Sequence, residues 1–264
     1  MSQPTDITVV IPVFNQLHYT SQCVDSLNRA GVADAQIIIV NNGSTDGTQK
    51  FLTDRPQIQA IHNAKNLGCG PAWTQGAKAS QTTWTIVINN DVLVPPGFVS
   101  GLVGFANKKK HDIVSPAMRE GELDYDLTSF AAEFTDRMAS AFRGDTAHGV
   151  CFMVHRRVFA SIGYFADGTK LGGYEDDEFF RRAKATGFRL AITGRAFLHH
   201  FGSITQKSLK SELSNNGHLG DRDYYRQKTG QTWSKRKATQ FRNSLRAFWW
   251  HHSERLFYGR KLME

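Results

Sequence analysis

Three short stretches carry the residue types that do chemistry. In TIVINNDVLVPPGF (85–98) the apolar run Ile86-Val87-Ile88 stops at Asn89-Asn90-Asp91, and the chain turns at Pro95-Pro96. In GGYEDDEFFRRAKATG (172–187) four carboxylates, Glu175, Asp176, Asp177 and Glu178, stand in the first turn of a helical pattern that Gly187 stops. In FLHHFGS (197–203) a strand pattern ends at His199-His200. A carboxylate and an imidazole at neighbouring strand ends, completed by diphosphate oxygens, suit Mn2+ or Mg2+. A carboxylate just above the ligand edge of a sheet can take a proton from a hydroxyl, which is general-base work. Each stretch also has a plain explanation. Asn and Asp make good turns, acids complement a helix N-terminus, and side-chain alternation lets only one of two adjacent histidines face a given ligand. Four successive acids nevertheless repel one another more than capping requires.

The elements that must hold these residues alternate between strand and helix patterns over the first hundred positions. Short buried strands are expected at 7–14 and 35–44, and two further strands at 58–63 and 83–91. Helices are expected after them, with Tyr19, Cys23 and Leu27 on one face of the first and Ser44 or Asp46 capping the second. Ala72, Gly76 and Ala79 lie on one stripe of a third helix, so that helix can pack close to a sheet. Near-continuous Val/Ile strands joined by helices predict an α/β fold, a mostly parallel sheet covered on both faces. In such sheets ligands bind outside the carboxyl ends of the strands. Phe14-Asn15, Asn41-Asn42-Gly43, Asn63 and Asn89-Asn90-Asp91 all fall there. The pattern weakens from about 117 to 148, which reads as a connector into an acceptor-facing half. A strand and short helix resume at 149–165.

Two glycine-bearing loops have readings of their own. VNNGSTDGT (40–48) joins a strand end to a helix start, where free N–H groups favour an anion or a base edge; the other reading is a well-capped connection. NLGCGPAWTQG has Gly68-x-Gly70, but Trp73 occupies the third glycine position of a dinucleotide fingerprint, and the loop follows the third strand rather than the first. No Walker-type phosphate loop is present.

The chain has 264 residues, 40% of them hydrophobic and 21% charged. That allows one large domain or two small ones. No apolar run approaches the roughly 18–20 residues of a membrane span, and the first residues lack the basic region of a signal peptide. Cys23, Cys69 and Cys151 are odd in number and widely spaced, as expected of reduced thiols in a cytoplasmic protein. The net charge of +8 is unevenly placed: residues 226–261 alone carry ten Lys/Arg against Glu254, a balance of +9. The body is nearly neutral and the tail is basic, so the tail's partner would be polyanionic.

In order along residues 6–205, VVIPVFN, IIIVNNGSTDGT, NLGCGPAWTQGAKAS, VINNDVLVPPGF, GVCFMVHRRVFASIGYF, GYEDDEFFRRAKATGFRL and HHFGS together resemble the family 2 inverting glycosyltransferases of the GT-A fold, of bacterial or phage type, with rhamnosyl-, glucosyl- or galactosyltransferase relatives. Each segment is weakly specific alone; the ordered series is strongly specific. The resemblance implies a glycosyltransferase domain over 1–205, with a nucleotide-sugar half to about 116 and an acceptor half beyond it. Residues 206–264 would form a basic, aromatic, mostly helical extension.

The resemblance also implies roles. Pro12, Phe14 and Asn15 would line the nucleotide site, Asn41 and Asn42 would read the base, and Asn66 and Gly68 would border nucleotide and sugar. Asn89-Asn90-Asp91 would match the family's Asp-x-Asp segment, with Asp91 as metal ligand beside the diphosphate. His200 would be the second ligand, with His199 as fallback. Asp176, in the pair Glu175-Asp176, would be the catalytic base. The implied cofactors are Mn2+ or Mg2+ with a nucleoside-diphosphate sugar, UDP- or dTDP-linked, as donor, and the implied acceptor is a hydroxyl on a glycan or lipid-linked glycan. Two departures stand out: the Asp-x-Asp segment keeps only its last acid, and Glu178 stands where many relatives carry Asp.

For the tail, Phe241, Leu245, Phe248, Trp249 and Leu256 fall at helical spacings with Arg242 and Arg246 beside them. Such a helix packs on its own domain, lies on an anionic membrane to reach a lipid-linked acceptor, or contacts DNA in an enzyme glycosylating hydroxymethylated bases. The expected location is cytoplasmic, peripheral on the inner face of the membrane if the second reading holds. Two rivals differ in class. A sugar nucleotidyltransferase needs a Gly-rich loop with an Arg after the first strand, where PVFNQ stands instead. A non-catalytic nucleotide-sugar-binding module need not keep Asp91, Asp176 and His200 together.

Overall fold

The structure, a computed structural model, describes residues 6–165, 173–202, 204, 230 and 233–264. Its frame is a sheet whose strands are the Val/Ile runs of the sequence: β1 (Ile7–Val13), β2 (Ile37–Asn41), β3 (Gln59–His62), β4 (Trp84–Ile88), β5 (Val92–Leu93), β6 (Ile113–Glu120), β7 (Phe142–Gly144), β8 (Cys151–His155) and β9 (Leu190–His200). The order across the sheet is β3-β2-β1-β4-β8-β6-β9-β5, with β7 beside β9. β3, β2, β1 and β4 run parallel, β8 lies antiparallel between β4 and β6, and β6 is again parallel to β9.

Strand residues alternate between two apolar layers. Val9, Ile11 and Val13 of β1 and Ile86 and Ile88 of β4 face one layer. There they meet Cys23, Val24 and Leu27 of α1 (Leu17–Arg29) and Phe98, Leu102 and Phe105 of α4 (Phe98–Lys109). Val10 and Val87 face the other, with Ala72, Trp73 and Ala77 of α3 (Cys69–Ala79), Val158 and Phe159 of α6 (Arg156–Ile162), and Phe179 and Phe180 of α7 (Glu175–Ala185). The expected small stripe on α3 has a physical reason: a Cβ at Gly76 would come within 2.2 Å of Val10 Cγ1. Covering both faces is what strands with no polar side require.

The interval 117–148 is more ordered than its pattern suggests. β6 runs to Glu120 through a register shift between Pro116 and Ala117, since proline has no N–H for the ladder. α5 (Leu127–Arg137) starts at Asp126, whose carboxylate accepts from Ser129 N at 2.8 Å. Ala131 and Phe134 then pin α5 over Phe197 of β9 in a third apolar cluster. The last helix, α8 (Trp233–Tyr258), leads to a chain end that pairs with β6: Met118 N donates to Leu262 O and Glu264 N to Met118 O. The first part of the expected basic extension, 206–229, lies outside the described residues. Among the described residues no helix is long and apolar enough to cross a membrane.

Candidate functional site

The parallel strands β1, β2 and β4 deliver their carboxyl ends to one edge. Asn15, at φ 54°, bridges two of them: its N–H donates to Ser44 Oγ at 2.8 Å and its Oδ1 accepts from Thr45 N at 2.8 Å. Pro12, Phe14 and Asn15 are all partly exposed along this edge.

Several N–H groups of the loop 40–48 bond within the protein. Ser44 N donates to Asn41 Oδ1, Thr45 N to Asn15, and Thr48 N to Asp46 Oδ1. These bonds support the capped-connection reading: Asp46 precedes Gly47, the N-cap of α2 (Thr48–Thr53), and accepts from Thr48 N. The amides expected to read a base are committed as well. Asn42, 4% exposed, donates to Asn66 Oδ1 and Gly68 O and accepts from Asn63 and Leu67 N. Asn66 Oδ1 takes a further bond from Gly68 N, and Asn90 donates to buried Thr20 Oγ1. Asn41, also 4% exposed, lies against His62. Asn42, Asn66 and Asn90 thus hold the rim in shape, because turning toward a ligand would leave buried partners unsatisfied.

Asp91 follows Asn89-Asn90 where β4 ends, and the next two residues, β5, pair antiparallel with the end of β9 in the register Val92↔His200. That pairing brings Asp91 and His200 together although 109 positions separate them. Asp91 is 3% exposed; its Oδ2 accepts from Ile204 N at 2.9 Å, while Oδ1 has no hydrogen-bond partner and lies 3.4 Å from His200 Nε2. His200 Nδ1 lies 3.0 Å from Glu120 Oε2, at the end of β6. A proton on Nδ1, facing Glu120, leaves a lone pair on Nε2 opposite an anionic oxygen, and only a cation between them makes that arrangement favourable. A proton is one such cation: burial would lower the His200 pKa, but Asp91 and Glu120 override it and raise it. For Asp91 burial acts upward, and contact with His200 and the Ile204 N–H pulls its carboxyl below the usual range. A divalent metal ion is the other cation, and an oxygen, an imidazole nitrogen and a carboxylate behind the imidazole form a fitting donor set. Among the described residues no cluster of three ligating side chains exists. Two protein ligands leave the remaining positions to a substrate.

His199 is not part of this set. Alternation along β9 turns it to the opposite face, where its Nδ1 meets Tyr125 Oη at 2.9 Å and its ring packs on Phe201. The fallback assignment of His199 is thereby corrected, and His200 is the histidine at Asp91.

The second acidic station opens α7. Tyr174 precedes it at φ 76°, a left-handed conformation that costs a tyrosine about 1–3 kcal/mol and turns the chain sharply into the helix. Glu178, 2% exposed, pairs with Arg182 Nε at 2.8 Å, and Arg182 also donates to the Ile162 and Tyr164 carbonyls. Glu178 thus holds Arg182, whose guanidinium fastens α7 to the end of α6. Glu175 is also buried, at 6% exposure, and burial raises its pKa. Asp176 is half-buried, and a Cβ at Gly149 would lie 2.2 Å from its Oδ2, so the carboxylate rests against the glycine backbone. A helix N-terminus favours the carboxylate form. Burial and then the Asp177 carboxylate outweigh it and raise Asp176 to about 6, which poises it for proton exchange near neutral pH.

Cys69 is the first residue of α3; burial raises its thiol to about 12, and the charges of Glu175, Asp176 and Asp91 add to the rise. Glu120, Gly149 and Cys69 were not singled out by sequence reasoning. Gly149 carried the only usable signal, a small residue just before the β8 strand pattern.

The chain matches the model of Glycosyl transferase family 2 over residues 8–163. It is 30% identical over 112 residues to the glycosyltransferase EpsJ of Bacillus subtilis, across 41% of this chain and 32% of that one. It is 23% identical over 112 residues to the glycosyltransferase GlyG of Streptococcus pneumoniae, across 41% of this chain and 37% of that one, so it spans about a third of the length of these relatives. Among solved structures, GalNAc-T7 with UDP, GalNAc and Mn2+ superposes with a TM-score of 0.59 at 15% identity, over 74% of this chain and 43% of that chain, a likeness of fold. With its GT-A fold and more than half its length inside the family model, the chain belongs to glycosyl transferase family 2.

Proposed function

We propose that the protein is a metal-assisted inverting glycosyltransferase that moves a sugar from a nucleoside-diphosphate sugar, UDP- or dTDP-linked, to a hydroxyl of a glycan or lipid-linked glycan. Residues 1–205 form the transferring domain, and 206–264 are an extension whose described part, 233–264, docks on it. The observation that carries the reading is the meeting of Asp91 and His200 where β4 and β9 end: Asp91 Oδ1 is buried without a hydrogen-bond partner, 3.4 Å from His200 Nε2. It supports a cation-holding pair at this edge of the sheet. Asp91 and His200 would hold the ion, with Glu120 fixing the orientation of the imidazole; when bound, a divalent ion supplies positive charge for a departing diphosphate. Asp176 accepts the proton of the attacking hydroxyl at its carboxylate, and that hydroxyl enters opposite the leaving group, so the anomeric carbon inverts. Glu175, buried beside it, keeps the site negative and favours a neutral hydroxyl over a competing anion.

Nucleotide release from UDP-, dTDP- and GDP-sugars with and without Mn2+ tests the reading. A metal-dependent signal from one of the first two is expected, and no release from any of them would leave a non-catalytic binding module. Asp91→Ala is expected to raise the Mn2+ concentration giving half-maximal donor binding at least tenfold; an unchanged metal titration contradicts its role. Gly149→Ala is expected to slow transfer about 100-fold by displacing Asp176, with donor affinity within twofold of the parent. Transfer kinetics and donor titration read the two effects separately.

A further inference from the structure

α8 shows two faces that do not match its sequence stripe in the ordinary way. The face turned to the domain is partly polar: Glu254, 5% exposed, enters a buried pair with Arg143, and Trp250 lies under the Arg143 and Arg246 guanidinium groups. The apolar stripe points the other way. Phe241, Leu245, Phe248, Trp249 and Leu256 are 68%, 47%, 54%, 69% and 79% exposed. At about 100° per residue these five fall on one sector of the helix, nearly opposite Trp250 and Glu254. Lys237 and Arg255 border the sector on one side and Arg242 on the other.

We infer that this outward sector of α8 is an interfacial surface that seats the protein on an anionic lipid bilayer.

Charge complementarity selects the occupant. Glu254 is the only acid between Trp233 and Tyr258, and it is turned inward and neutralised, so the outward face presents cations alone. Arg246 and Arg242 already press on Lys184 of α7, where burial first and these two charges next lower its pKa. A second copy of the chain would bring cationic borders against cationic borders with no acid to relieve them. Nucleic acid would satisfy the charges, but Leu245 and Leu256 sit in the middle of the stripe and have no π-face on which to stack a base. A bilayer satisfies both features, hydrocarbon for the stripe and anionic headgroups for its borders. The chain end that follows α8 reaches the proposed site: Glu120, which contacts His200, donates its N–H to Glu264 O. The inference is independent of the proposed chemistry, because it concerns binding to lipid without substrate.

Flotation of the full chain with phosphatidylglycerol vesicles, phosphatidylcholine vesicles and no vesicles tests it. Binding to the first is expected to exceed binding to the second by about 100-fold or more, given three bordering cations. Replacing Phe248 and Trp249 together by Glu should abolish flotation while thermal melting stays unchanged, since both side chains are exposed. Phe257→Ser, on an exposed residue of the same helix outside the sector, should float like the parent. Replacing Lys237, Arg242 and Arg255 by Gln should remove the preference for phosphatidylglycerol. Failure to float on either vesicle overturns the inference, as does equal binding of the Phe248/Trp249 variant. A dimer in sedimentation that this variant dissolves, or salt-sensitive retention on DNA without flotation, assigns the surface elsewhere and also overturns it.

Discussion

Asp176→Asn is expected to lower sugar transfer by 100- to 10,000-fold, the usual worth of a positioned general base, while the donor binds as in the parent. The same change is expected to raise thermal stability at neutral pH. Asp176 titrates at about 6 in the folded protein against 3.8 ordinarily, because burial and the Asp177 charge oppose its ionised form. A folded-state pKa raised for an acid means that the native state holds its proton more tightly. Above about pH 6 the carboxylate is charged in both states and the native state bears the full penalty. As pH falls from 6 toward 3.8 the native carboxyl protonates first and the penalty fades. After discount for solvent at this half-buried group it amounts to about 1–3 kcal/mol. The Asn variant never bears it, so its melting temperature should exceed the parent's at pH 7.5 and converge with it near pH 4. The parent's kcat/KM should rise tenfold per pH unit below about 6 and level off above, and the variant's residual rate should lack that limb. A variant that loses donor binding in proportion to transfer, or melts lower at pH 7.5, would remove Asp176 from the role of base.

Much of this arrangement was legible in the sequence because it rests on strong local patterns. Runs such as Ile37-Ile38-Ile39-Val40 admit only a strand buried on both faces, and Gly187, at φ 89°, ends α7 where expected. The candidate site's acids stood out for a different reason: Asp91 ends an apolar run and Asp176 is one of four successive acids at a helix start. What stayed hidden is long-range. Nothing local says that Glu120 would back His200, since that contact arises from the parallel pairing of β6 with β9. The mutual bonding of the amides stayed hidden for a related reason. Asn42 looks like a ligand group at a strand end, but the loop carrying Asn63, Asn66 and Gly68 folds over it and takes its hydrogen bonds. α5 escaped notice because Thr128, Ser129 and Thr135 dilute its apolar face to Ala131 and Phe134, too few for a periodicity to stand out.

Glu254→Ala is expected to destabilise the fold by about 3–5 kcal/mol, the cost of leaving a buried charge without its partner. Arg143 and Glu254 are each 7% exposed at the side chain, and they meet through two bonds, Nε to Oε1 at 2.6 Å and Nη2 to Oε2 at 2.8 Å. Glu254 Oε2 also accepts from Leu262 N at 2.9 Å, so one carboxylate ties β7, α8 and the final residues together. Losing it strands a guanidinium beneath Trp250 and frees Leu262 from the cluster around Phe134 and Phe197. The urea midpoint should fall accordingly, whereas Arg143→Met combined with Glu254→Leu should recover most of the loss, because an apolar pair of similar volume needs no desolvation. The two variants then separate two consequences of the tail. The single change also loosens the strand that Glu264 forms with Met118 and Glu120, so it should raise the metal requirement beside His200. The double change removes the same acceptor of Leu262 N and should raise the requirement as much, while stability recovers. If the single variant were as stable as the parent, α8 would be held by its apolar contacts alone and the ion pair would be incidental to the docking.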